Sequence, residues 1–223
     1  MKKYGFNLWI VVLIPLSLWL NSCKEYNLVP GFSDEILSIL SEEQIDSLRS
    51  LGMNIHEGRN PPDLQGIYRA SPYELLVQYA PDDNYRIGQA INDYKYRFYD
   101  YNERDQSIKV DFKQVGGSDN GTGTGGFVSG KNNEFTIFSE DVGNTGNADY
   151  VLAAIYSGRL VEGGIEDFQY AFVITSKNDP SGRLIPVNTG RVWIDGDGLA
   201  EEESVFRRRA TEILSSGSAL SAE

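Results

Sequence analysis

The sequence predicts an all-β fold: an antiparallel meander of about eight to ten strands, closed as a barrel or packed as a sandwich, behind a short N-terminal helical segment. Three observations carry this. Twenty-three glycines and thirteen tyrosines in 223 residues favour strands joined by tight turns over helices. From Asp63 onward the apolar residues recur with a period of two. Turn-forming groups such as "GKNN" and "VEGG" separate the alternating runs, and successive short strands must close or stack to hide their edges.

The chain divides into residues 1–22, a signal peptide; 23–32, a spacer; 33–60, helical; 61–198, the β-domain; and 199–223, an exposed tail. Lys2 and Lys3 form a basic start, and Leu8 to Leu20 is a thirteen-residue apolar run. A membrane-spanning helix needs roughly 20 residues, so the run reads as a secretory signal. Leu20, Asn21, Ser22 and Cys23 resemble the lipobox of bacterial lipoproteins. The resemblance implies that the chain is cut before Cys23, that the thiol takes a diacylglyceryl group and that the new amine is acylated. Several acyl chains at about 0.8 kcal/mol per buried CH₂ give a stable membrane anchor. The alternative is a lone unpaired thiol in an oxidising compartment. Lys24 and Glu25 resemble the lysine-then-acidic signature of surface-exported Bacteroidetes lipoproteins, which points to the outer membrane and its exterior.

Ser33 to Leu51 is the helical stretch. Ser41 and Gln44 make a capping box, Ile45, Leu48 and Leu51 an apolar stripe, and Gly52 a C-terminal stop. The narrow stripe predicts a lid or brace packed on the domain. Strands follow over 65–70, 73–78, 85–91, 94–101, 107–115, 126–129, 134–139, 150–160, 165–176 and 189–194. In "YKYRFYDY" Tyr94, Tyr96 and Phe98 alternate with Lys95, Arg97 and Tyr99, while Phe168, Tyr170, Phe172 and Ile174 share a core face. Gly66-Ile67-Tyr68 resembles the opening of lipocalin-like barrels, which implies an interior holding an apolar ligand or only side chains. The lipobox, "ILSEEQIDSLRSLGMNIHEGRNPPDLQGIYRASP", the glycine-rich middle and "TGRVWIDGDGLAE" resemble lipoproteins of Bacteroidetes, a resemblance that brings no activity with it. In the tail, "EEE" before "RRR" suits a helix dipole and predicts a short helix over Glu201 to Leu214.

Net charge is −12, and −14 once the two signal lysines are removed, which argues against nucleic acid as a partner. Gly121 to Gly126 ("GTGTGG") and Gly125 to Asn132 ("GGFVSGKN") imitate phosphate-binding loops, but the continuation "NEFTIF" is a strand rather than the helix such loops need. The region reads as a flexible glycine loop feeding a hairpin. Asp195, Asp197 and Glu201 could form a loose calcium site, although Leu199 and Ala200 break the EF-hand spacing; an Asp-Gly turn is the simpler reading, and no metal or other cofactor is expected. His56 is the single histidine and reads as a loop residue, so neither a nucleophile–histidine pair nor a His-rich zinc site is expected. Tyr94, Tyr96, Tyr99 and Tyr101 are the candidate ligand-binding residues, offering rings for a small molecule or glycan, with core packing as the alternative for Tyr94 and Tyr96. Two functions follow: a lipid-anchored module binding a ligand or an envelope protein, or a carboxylate-dependent hydrolase of envelope or external glycans.

Overall fold

A computed structural model describes residues 31–206, so Cys23, the signal segment and the tail from 207 lie outside the described residues. Two helices open it, α1 (Asp34–Ile39) and α2 (Glu42–Ser50). The Ile36 N–H donates to Ser33 Oγ, and Ser41 with Gln44 forms the predicted capping box. The single helical stretch expected from sequence is therefore split. Leu40 is extended (φ −140°, ψ 132°) because an N-cap at Ser41 requires the preceding helix to have ended. Gly52 adopts φ +97° as expected of a helix stop, and that turn folds Met53 back onto α2 while Leu51 stays exposed.

Twelve strands follow: β1 (Arg59–Asn60), β2 (Gly66–Ala70), β3 (Tyr73–Val77), β4 (Ala90–Ile91), β5 (Tyr94–Asn102), β6 (Ser107–Gln114), β7 (Asn120–Lys131), β8 (Glu134–Thr145), β9 (Ala148–Val161), β10 (Gly164–Asn178), β11 (Gly190–Asp195) and β12 (Leu199–Glu202). They form one sheet ordered β12-β2-β5-β6-β7-β8-β9-β10-β11-β3-β4. Pairing of β12 with β10 closes it into a ring. All ladders are antiparallel except that of β1 with β7. β10 serves two neighbours: Gly164 to Glu166 pair with β12, and Gln169 to Val173 with β11. The register shift between Glu166 and Gln169, with Asp167 at φ +52°, marks the change of partner.

Three expectations are corrected. Leu199–Glu202, placed by sequence in an exposed tail and partly in a helix, is the strand that closes the ring. The glycine run expected as a flexible loop lies inside β7. Of the strand expected over 85–91 only Ala90–Ile91 pairs; the rest is loop.

The period of two sorts the core as expected. On β9, Leu152, Ala154 and Tyr156 belong to the cluster filling the ring, whereas Ala153 and Ile155 join a second cluster with Ile36, Leu40, Ile45 and Met53 under the helices. The helices are thus a brace on the outer wall. The segment that follows them is laced across four strands by buried polar side chains. Gln169 Oε1 accepts from the Asn54 N–H at 2.6 Å, Ser157 Oγ donates to Asn54 O, Thr136 Oγ1 accepts from the His56 N–H at 2.8 Å, and Ser129 Oγ donates to His56 O at 2.8 Å. Ser129, Thr136, Ser157 and Gln169 each have a backbone partner there, which offsets their desolvation.

Candidate functional site

One end of the ring's interior is filled and the other is open. At the open end a cavity of about 320 Å³ is lined by Tyr73, Tyr94, Tyr150, Tyr170, Phe172, Trp193 and Asp119, with Arg183 and Arg191 at its edge. Alternation places the aromatic residues: Tyr94 begins β5, Tyr150 lies near the start of β9, Tyr170 and Phe172 share a face of β10, and Trp193 is on β11. Trp193 stacks on Tyr73 at 5.5 Å between centroids and 19° between planes, and Tyr85 meets it edge-on at 5.5 Å.

Two carboxylates pin the loops that rim the opening. Asp83, its side chain fully buried, takes a two-armed pair from Arg191 at 2.6 and 2.9 Å and accepts from the Tyr79 and Tyr85 N–H groups. Burial raises its pKa, but these hydrogen bonds outweigh it and hold the carboxyl below its ordinary value. Asp179 accepts from the Arg183 and Leu184 N–H groups and pairs with Lys177 at 3.3 Å, with the same net direction.

Asp119, just before β7, is the sole carboxylate among the described residues lining the cavity. It accepts hydrogen bonds from the hydroxyls of Tyr94, at 2.6 Å, and Tyr150. Burial pushes its pKa up, and the two phenols only partly oppose this. Among the described residues no lysine or arginine forms an ion pair with it. Deeper in the ring, Tyr73 and Tyr96 share a hydroxyl–hydroxyl bond of 2.7 Å. Asp141 accepts from Ser139 Oγ at 2.5 Å and from Tyr156, and burial pushes its pKa up to about 6. Such a cavity can hold the apolar body of a small ligand against aromatic faces and one hydrogen-bonding or charged group at Asp119. The facing carboxylates that glycoside hydrolysis uses are not assembled among the described cavity-lining residues.

The four tyrosines expected to bind ligand are scattered. Tyr94 is on the cavity wall, and Tyr96 is wholly buried beneath it. Tyr99 lies outside the ring, under the Arg97 guanidinium at 4.4 Å. Beyond the irregular turn at Asp100 (φ +55°), Tyr101 packs against the interior at the filled end, its N–H donating to Gln65 Oε1. Tyr99 and Tyr101 therefore form no common platform. Asp119, Tyr150, Tyr73 and Trp193 went unnoticed in the sequence; Trp193 had the period-two signal of "RVWID", whereas Asp119 sits in a turn with no period at all.

Asp195 ends β11 and is buried, with no hydrogen-bond partner for either carboxylate oxygen. Burial and the nearby Asp197 push its pKa up to about 7. Glu201 is exposed on β12, and no cluster of three or more metal-ligating side chains forms among the described residues. His56 is a half-buried connector residue whose Nδ1 is 3.5 Å from Glu134, and burial lowers its pKa.

The fold and cavity define a closed antiparallel sheet with a small aromatic chamber at one end. No family model, no curated protein and no solved structure matches the chain.

Proposed function

We propose that the protein is a small-molecule-binding module, carried on a lipid anchor at the cell envelope, that holds its ligand in the chamber around Asp119. The observation that carries the reading is an aromatic cavity inside a ring whose other end is packed solid. Its volume of about 320 Å³ equals roughly ten water volumes and lies at the small end of the ligand-pocket range. The anchor rests on the lipobox-like Leu20 to Cys23, and the outer-membrane, outward-facing placement on Lys24 and Glu25. Mass spectrometry of protein extracted from its native envelope should find an acylated Cys23 at the amino terminus; a free thiol there would remove the anchor.

The cavity carries its own reporter. Trp9 and Trp19 precede Cys23, so the processed chain has Trp193 as its one tryptophan, on the cavity wall. A panel of small aromatic, aliphatic and sugar ligands should contain members that shift Trp193 emission, and Leu152→Phe, which intrudes on the cavity, should weaken them. A panel that leaves the emission of both proteins unchanged would remove the binding reading.

A further inference from the structure

The chamber presents a partly buried carboxylate, Asp119, that no lysine or arginine among the described residues pairs with. We propose that its ligand is a small organic ammonium on a compact aromatic or aliphatic body, the charged nitrogen against Asp119 and the carbons against Tyr73, Tyr94, Tyr150 and Trp193. This rests on the reading of the chamber as a ligand site.

Removing a carboxylate from water without a counter-charge is costly, and two phenol hydroxyls offset only part of that cost. A carboxylate has about four acceptor positions, and Tyr94 and Tyr150 occupy two, so a third donor from the ligand finds acceptor capacity. The aromatic faces act in the same direction, because their negative quadrupoles attract a cation and repel an anion. The two arginines at the chamber do not serve Asp119. Arg191 is held in its two-armed pair with Asp83 and stacked over Tyr85 at 4.8 Å, and Arg183 is exposed on the rim, where water solvates it. A net charge of −12 raises the concentration of cations at the mouth and lowers that of anions. Burial raises the pKa of Asp119, and the two phenol hydroxyls oppose it only in part.

The test uses the detergent-solubilised mature protein and Trp193 emission, with three matched probes at pH 7.5: 2-phenylethylamine as the cation, 2-phenylethanol as the neutral isostere and phenylacetate as the anion. A methyl glucoside is the fourth. The amine should bind at least tenfold more tightly than the alcohol, and Asp119→Asn should bring the amine's affinity to the alcohol's. The tenfold ratio is read in the unmutated protein, so it stands whether or not the variant folds. If the alcohol, phenylacetate or the glucoside binds as tightly as the amine, the ammonium assignment is overturned while the chamber remains a ligand site. If none of the four shifts Trp193 emission, the assignment and the ligand-site reading both fall.

Discussion

The two ends of the ring's interior bury comparable side chains to opposite purposes. At the filled end Leu64, Phe98, Ile108, Val128, Phe135 and Ile165 form an apolar plug, each at 2% exposure or less. The hydroxyl nearest that plug, of Tyr68, is absorbed by Leu64 O at 3.2 Å. At the open end β5 and β10 contribute Tyr94 and Tyr170, β3 and β9 contribute Tyr73 and Tyr150, and the turn before β7 adds Asp119. Each strand changes character along its length: β5 runs from Tyr94 to Phe98, and β10 from Ile165 to Tyr170. Apolar side chains of similar volume would stabilise the open end at least as well, since they carry no desolvation cost. Stability accounts for the filled end, and the open one carries polar groups that stability does not require.

The largest effect expected from that contrast is in packing. Phe135→Ala removes a fully buried ring from the filled end and should cost about 3–5 kcal/mol in urea denaturation. Leu152→Ala, on the cavity wall, should cost about 2 kcal/mol, at the low end of the range for such truncations, because its neighbours already face an empty volume. Equal costs would mean that the open end is packed as tightly as the filled one.

Asp141 lies between the two ends and reports on the dryness of the middle. Its folded pKa of about 6 exceeds the unfolded value of roughly 3.9, so the folded state binds the proton more tightly between those pH values. The stabilisation from protonation is therefore present below about pH 4 and is lost as the pH rises through 6. At about 1.4 kcal/mol per pKa unit the loss amounts to at most roughly 3 kcal/mol. Asp195, pushed up to about 7, acts in the same direction, so the informative quantity is the difference between unmutated protein and Asp141→Asn measured from pH 4 to 7. The variant should show the shallower fall. Parallel curves would place Asp141 in contact with water.

What the sequence revealed and what it hid divide by range. The capping box at Ser41, the hairpin across 102–106 and the inward set Phe168, Tyr170, Phe172 and Ile174 are local patterns, and all are found. β12 was hidden because "LAEE" has little strand propensity; it is extended because β2 and β10 lie on either side with free ladder groups. The glycines of β7 were misread for a similar reason. A Cβ on Gly121 would come within 2.5 Å of the Phe112 ring, one on Gly123 would collide with Asp141 and Ser139, and one on Gly126 would sit 2.8 Å from Ile108 O. They are glycines because bulky neighbours on β6 and β8 occupy their places, a pairwise fact invisible in one strand. Gly123→Ala should therefore cost about 1–3 kcal/mol, while Gly125→Ala, with nothing within 4 Å of its Cβ, should be near neutral. A similar cost at both positions would restore the flexible-loop reading. The cavity itself was half legible: alternation marks Tyr94 as inward, but nothing in "GGSDN" shows that Asp119 will meet Tyr150 from across the ring.

The smallest predicted effect is the sharpest comparison, because the same atom is deleted at each place. Tyr156→Phe removes a hydroxyl that donates to Asp141 in the dry middle, and Tyr94→Phe one that donates to Asp119 at the cavity. At pH 7.5 Asp141, with its pKa near 6, is ionised. Losing a donor to a buried charge should cost about 1.5–3 kcal/mol at Asp141, where no water can replace it. At Asp119 a cavity water can take the vacated position, and the cost should be about 1 kcal/mol or less. Lowering the pH to 4 protonates Asp141 and should shrink the Tyr156→Phe cost. Chemical denaturation of the two variants at both pH values measures all four quantities. If Tyr94→Phe proves as costly as Tyr156→Phe at pH 7.5, the open end is as dry as the middle, and the polar groups there must be explained by structure rather than by a ligand.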